Sequence, residues 1–312
     1  MAWLHDRLGC GGGAGAGDEL EGRGDPGAGV CPGGDCLGAG IWEGAWTAGS
    51  RGDVRSVAFG GGGVKMFPRA VLFDLDDTLI SAYRQPELAW IAIAAEFTEE
   101  LGTLPLASVA AAVAAASEAF WADDDRHRQG RLNLLDARSG IVMEGFSALA
   151  RDGHRVPDGP VATQVATRMA TRYQTYRDTQ MHLFPDAHEV VDALRARGVK
   201  LALITNGAAQ PQRAKVERFE LTHRFDHIQI EGEHGFGKPE ERAYRHAMTA
   251  LGVAAHETWM VGDNLEWEVI APQRLGIHAI WHDSLGGGLP PGTQARPDRI
   301  IRSLRELLPT GL

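Results

Sequence analysis

Three short apolar runs, far apart in the chain, each stop abruptly on polar residues. Ala70-Val71-Leu72-Phe73 runs into Asp74-Leu75-Asp76-Asp77-Thr78, Lys200-Leu201-Ala202-Leu203-Ile204 into Thr205-Asn206-Gly207, and Thr258-Trp259-Met260-Val261 into Gly262-Asp263-Asn264. Unbroken apolar runs of this length mark strands buried on both faces, and such strands belong to parallel sheets covered by helices. Helical patterns separate them. Ala187 to Arg197 places Val190, Val191 and Leu194 on one face and stops at Gly198, and Glu240 to Leu251 is a second helix. Ile228-Gln229-Ile230 and Ile277 to Trp281 read as further strands, and Asp298 to Leu308 as a closing helix. The alternation predicts an α/β fold, a Rossmann-like doubly wound parallel sheet. Ligands of such sheets bind at the carboxyl ends of the strands.

Asp74 and Thr205 are 131 positions apart, far more than one helical crossover needs. Residues 82–182 are rich in Ala, Glu, Arg and Leu and predict an inserted helical domain, clearest over Glu87 to Leu101, Leu106 to Ala122 and Val161 to Tyr176. The core is expected in 66–81 and 183–312. Residues 1–65 hold 21 of the 40 glycines and are expected to be disordered, since they cannot bury enough apolar surface to offset ordering entropy. Trp3, Trp42 and Trp46 are a candidate docking element in that stretch, and Met66, just before the first strand, is a candidate start of the native protein.

The net charge of −10 and the absence of a basic block argue against binding a nucleic-acid polymer. Cys10, Cys31 and Cys36 all precede the fold, so no disulfide framework is expected there, which fits a reducing cytoplasm. No apolar leader opens the chain, and the longest apolar run, Leu106 to Ala122, contains Ser108, Ser117 and Glu118. No membrane association is expected. The twelve histidines present no metal motif: His223 and His227 lie one helical turn apart without a third partner and read as surface or packing residues.

Four polar signals fall just past predicted strands. In Asp74-x-Asp76 one carboxylate is placed to attack while the other transfers protons; a calcium loop or solvated turn is the alternative. Thr205-Asn206-Gly207 suits phosphoryl oxygens, or is an ordinary turn with Thr205 as helix cap. Gly237-Lys238-Pro239-Glu240 sets a lysine at the mouth of a helix begun by Pro239. Asp263 suits a hard cation such as Mg²⁺. Together, in this order, the four signals point to phosphoryl chemistry.

The combination resembles the haloacid dehalogenase superfamily of phosphohydrolases, in the group with a helical C1 cap, over residues 67 to 310. The resemblance implies Asp74 as nucleophile, forming an aspartyl phosphate, and Asp76 as general acid and base. It implies Thr205, Asn206 and Lys238 around the phosphoryl group, and Mg²⁺ on Asp74, the Asp76 carbonyl and Asp263. Two positions depart from the family pattern: Asp77 where glycine is common, and Glu268 where a second aspartate is usual. Glu268 is therefore a candidate metal ligand or a partner of one. In the insertion, Tyr83 and Arg84 are candidate substrate contacts, and so is the cluster Arg126, Arg128 and Arg131, whose arginines otherwise pair with Asp123, Asp124 and Asp125 on a solvated helix. The expected activity is Mg²⁺-dependent hydrolysis of a small phosphorylated metabolite. A phosphomutase, or a 2-haloacid dehalogenase using the same nucleophile, stands as the alternative. Oligomeric state is not legible.

Overall fold

The computed structural model describes residues 67–82 and 86–309. The glycine-rich stretch 1–65, Met66, Tyr83 and Arg84 fall outside the described residues, and so do the expectations placed on them.

Six parallel strands form one sheet in the order β5-β4-β1-β6-β7-β8. They are β1 (Ala70–Phe73), β4 (Lys200–Thr205), β5 (His227–Ile230), β6 (Thr258–Gly262), β7 (His278–His282) and β8 (Arg299–Ile301). The central strand β1 is apolar at all four positions because both faces are covered. Val71 and Phe73 pack with Val190, Val191 and Leu194 of α7 (Ala187–Ala196), whereas Ala70 and Leu72 pack with Tyr244, Ala247 and Met248 of α10 (Glu241–Leu251). From β1 the chain builds outward to β4 and β5, then returns to lay β6 on the other side of β1. That reversal opens a crevice at the carboxyl ends of the central strands.

β2 (Ile80–Ser81) and β3 (His182–Leu183) form a separate antiparallel pair. Between them run α1 (Pro86–Ala95), α2 (Thr98–Leu101), α3 (Leu106–Ala122), α4 (Asp124–Gly130), α5 (Leu134–Arg151) and α6 (Gly159–Gln180). This helical block has an apolar core of its own, including Ile93, Val113, Ile141, Phe146 and Met169, with Trp90 stacked on Tyr173 at 4.1 Å. Helices α3 and α5 approach closely at Gly145, where a Cβ would come within 3.0 Å of Val113 Cγ2. The helix expected over Glu87 to Leu101 is two, α1 and α2, broken at Glu96 and Phe97. The remaining helices are α8 (Ala209–Arg218), α9 (Glu231–His234) and α11 (Ala271–Arg274). Among the described residues no single helix is long and apolar enough to cross a membrane; α3 and α4 meet that description only jointly, and they are bent by 101°.

The expected closing helix over Asp298 to Leu308 is not formed. Arg299–Ile301 is instead the edge strand β8, followed by a 3₁₀ turn over Leu304–Leu307 capped by the Ser303 side chain. The β-branched pair Ile300-Ile301 favours a strand, and pairing with β7 outweighs a short helical pattern.

Candidate active site

Asp74 follows β1 with its side chain about 10% exposed, and both carboxylate oxygens are held. Lys238 Nζ donates to Oδ1 at 2.5 Å and the Thr78 hydroxyl donates to Oδ2 at 3.0 Å. The lysine is fully buried, and its ammonium also lies 2.8 Å from Glu268 Oε1. Burial works to lower the Lys238 pKa, but Asp74 and Glu268 more than offset it and hold the ammonium well above its ordinary value. Asn206 locks this lysine from behind: its Oδ1 accepts from Lys238 N at 2.8 Å and its Nδ2 donates to Lys238 O at 2.6 Å. Asn206 thus touches the lysine's backbone, and α10 begins two residues beyond Pro239 rather than on it.

Asp76 turns to other partners. Lys215 Nζ lies 2.7 and 2.8 Å from its two oxygens, and Gln212 Nε2 donates to Oδ2 at 2.9 Å. Burial raises its pKa, yet Lys215, Gln212 and the charge of Arg177 prevail and hold it below the ordinary carboxylate value. The same Gln212 amide donates to Thr205 Oγ1 at 2.5 Å, so one side chain joins the ends of β1 and β4. Neither Gln212 nor Lys215 stands out in the sequence. They sit three positions apart on α8, right after Thr205-Asn206-Gly207, and that placement is the one signal available.

Asp77 adopts a left-handed backbone, φ 60°, which is the physical reason glycine suits the position. Aspartate tolerates this conformation when its side chain bonds locally, and here Asp77 Oδ1 accepts from Ala82 N at 2.8 Å.

Asp263 directly follows β6, with its backbone carbonyl fixed by the Trp281 indole at 2.7 Å. Its partly buried carboxylate makes no hydrogen bond or ion pair among the described residues. Burial, then the charges of Asp74 and Glu268, push its pKa well above its ordinary value. Glu268, pushed up to about 7 by burial despite Lys238, points back toward the strand end. Its Oε2 accepts from Asn264 N at 2.7 Å, and its stem lies so close to Gly262 that a Cβ there would meet Cγ at 2.0 Å. The longer arm of glutamate is thus accommodated by a turn of π-helix, Leu265–Ile270, laid across a glycine. Asp74, Asp263 and Glu268 crowd negative charge around one ammonium. An unpartnered carboxylate in such a cluster fits a hard divalent cation, which takes carboxylate and carbonyl oxygens.

Arg131 pairs with none of Asp123, Asp124 or Asp125. From the end of α4 it forms a two-pronged bridge to Glu231 of α9, 2.8 Å from Nε and 2.6 Å from Nη2, and Glu231 also accepts from Gly207 N at 2.9 Å. Its guanidinium lies 5.3 Å from the Trp267 ring. Arg126 bonds Glu144, and Arg128 lies 3.7 Å from Asp125. Arg131, Arg128, His127, Pro239 and Trp267 line a cavity of about 720 Å³; Asp74 does not line it, but Pro239 and Trp267 directly follow Lys238 and precede Glu268.

Comparison with known proteins bears on the family and the fold. A family model for haloacid dehalogenase-like hydrolases matches residues 68–276. The phosphoserine phosphatase of Thermus thermophilus is 35% identical over 193 residues, which cover 62% of this chain and 73% of that protein. The pyrimidine 5'-nucleotidase PynA of Streptococcus pneumoniae is 25% identical over 78% of this chain and 94% of its own length. Among solved structures, the HAD-hydrolase YfnB of Bacillus subtilis bound to magnesium shares the fold with a TM-score of 0.54, at 22% identity, over 77% of this chain and 97% of that one. A matching family model, phosphatase relatives and a shared sheet topology together make this chain a member of the haloacid dehalogenase-like hydrolase family.

Proposed function

We propose that the protein is a Mg²⁺-dependent phosphatase acting on a small phosphomonoester, with Asp74 as nucleophile. The observation that carries this reading is the fully buried Lys238, held between Asp74 and Glu268 at the end of the central strand. An ammonium so placed holds the attacking carboxylate in position and offsets the charge that a phosphoryl group brings. Asp74 would attack phosphorus, breaking the bond to the leaving oxygen. Asp76 supplies that oxygen with a proton and recovers one from the water that hydrolyses the aspartyl phosphate. Lys215 and Gln212 set its position and keep its ionised form favoured for the second step. Thr205, held by Gln212, is the proposed hydroxyl donor to the phosphoryl oxygens. Asp74, Asp263 and the Asp76 carbonyl would hold Mg²⁺, which supplies charge neutralisation as the phosphoryl group transfers. Glu268 acts on this site through Lys238 and Asn264.

The helical block is proposed as the cap, and Arg131 as its tie to the core beside the phosphate end. Relatives that act on phosphoserine or pyrimidine nucleotides support a small phosphorylated metabolite as substrate. The cytoplasmic setting expected from the cysteine usage belongs to the same reading. Phosphate release from a panel of phosphomonoesters tests it. Release should require Mg²⁺ and vanish in Asp74→Asn. Turnover undiminished by that substitution refutes the nucleophile, and halide release from 2-haloacids in place of phosphate refutes the reaction.

A further inference from the structure

Three histidines that look unrelated in sequence come together on the other side of β5. His227 opens β5, His234 closes α9 and His246 lies on α10, and one ring nitrogen of each falls within 4.8 Å of the others. His227 is on a strand, so its spacing from His223 carries no helical meaning.

The hydrogen bonds around the rings fix which nitrogen is free. His234 Nδ1 faces the Ile230 carbonyl at 3.1 Å and must donate to it, which leaves Nε2 with its lone pair. His246 Nδ1 faces Gln229 Oε1 at 2.8 Å. That amide is oriented by its own Nε2, which donates to Ala243 O at 3.0 Å in a fully buried site, so His246 also donates through Nδ1 and keeps Nε2 free. His227 Nε2 is buried and has no hydrogen-bond partner. An orphaned buried nitrogen beside two imidazoles with fixed tautomers is how protein sites present themselves to a transition metal, with the second ring nitrogen bonded to a carbonyl behind each ligand.

We propose that His227, His234 and His246 form a binding site for a borderline-soft divalent cation of the Zn²⁺ class, distinct from the carboxylate site at Asp74. Three neutral imidazoles suit Zn²⁺ and leave a fourth position for water, whereas Mg²⁺ prefers oxygen ligands. Zn–N bonds of about 2.0–2.1 Å place tetrahedral ligands roughly 3.4 Å apart. From separations of at most 4.8 Å the rings therefore close by no more than about 1.4 Å on binding, and His246, the exposed one, has room to move. The site spans residues 227–246, a segment that also carries Glu231 and Lys238. A bound ion would pin β5, α9 and α10 to one another. This inference does not depend on the reaction proposed above.

Calorimetric titration of the chelator-treated full chain with Zn²⁺, in saturating Mg²⁺, tests it, with thermal melting as a second readout. The native chain should take up one more Zn²⁺ equivalent than His246→Ala or His234→Ala, and should gain in melting temperature where the variants gain nothing. Asp263→Asn should keep the histidine-dependent equivalent. Co²⁺ should give the visible absorption of tetrahedral coordination, lost in both histidine variants. Equal Zn²⁺ uptake by native and variant chains would overturn the proposal and leave the rings as an aromatic cluster with Phe236.

Discussion

At the scale of single residues, the tightest constraint is the left-handed backbone at Asp77. Asp77→Gly relieves the conformation but gives up the bond from Ala82 N, so stability should change by less than about 1 kcal/mol. Asp77→Val should cost about 2 kcal/mol or more, because a β-branched residue is strained at positive φ. Equal melting of the two variants would contradict this account. Asp76 offers a second test. Its pKa is held below 3.8 in the fold, so its stabilising effect is present above the unfolded value and is lost as pH falls through the folded one. Lys215→Met should therefore destabilise the protein near neutral pH and flatten the loss of stability on acidification. It should also move the alkaline limb of kcat/KM for alkyl phosphates to higher pH, since the proposed acid then keeps its proton longer. A pH profile identical to the native one would remove Lys215 from that role.

Between elements, the bridge from Arg131 on the helical block to Glu231 on α9 carries the most leverage. Both side chains are nearly buried, and removing one partner strands the other's charge. Arg131→Met or Glu231→Gln should cost about 3 kcal/mol in chemical denaturation and raise KM more than it lowers kcat. Loss of kcat alone would point to a different role. This bridge also shows where a sequence stops being legible. The ends of β1, β4 and β6 are local, because an apolar run meeting a polar loop declares both the strand and its polar tip. Arg131 was visible as a basic residue, but its partner lies 100 positions away. Gln212, Lys215 and the three histidines are likewise invisible because strand order, not spacing, brings them together. The mistaken closing helix has the same origin: Ile300 and Ile301 fit a helical stripe until β7 offers a hydrogen-bonding edge.

Across the whole molecule, crowded carboxylates make stability depend on metal and pH together. Glu268 carries a raised pKa, so the metal-free fold holds a proton that the unfolded chain releases. The associated stability is present below about 4.5 and is lost as pH rises toward 7. Melting of the chelated protein should fall across that interval, and Mg²⁺ should restore it near neutrality by mass action. Asp263→Asn should melt higher than the native chain without metal and gain little from Mg²⁺; the reverse order would argue against the carboxylate cluster as the cation's seat. The short ribbon of β2 and β3 has a different consequence. Every described helix from α1 to α6 enters and leaves through those four residues, paired Ile80 to Leu183 and Ser81 to His182. Such a pair is a hairpin whose loop happens to be about a hundred residues long, with the Arg177 bonds to Ala82 O as a buried tie at its base. The sheet should therefore accept transplantation: helices grafted from a relative, with Arg177 and Arg131 kept, should still close the ribbon and unfold cooperatively, while the range of esters cleaved changes.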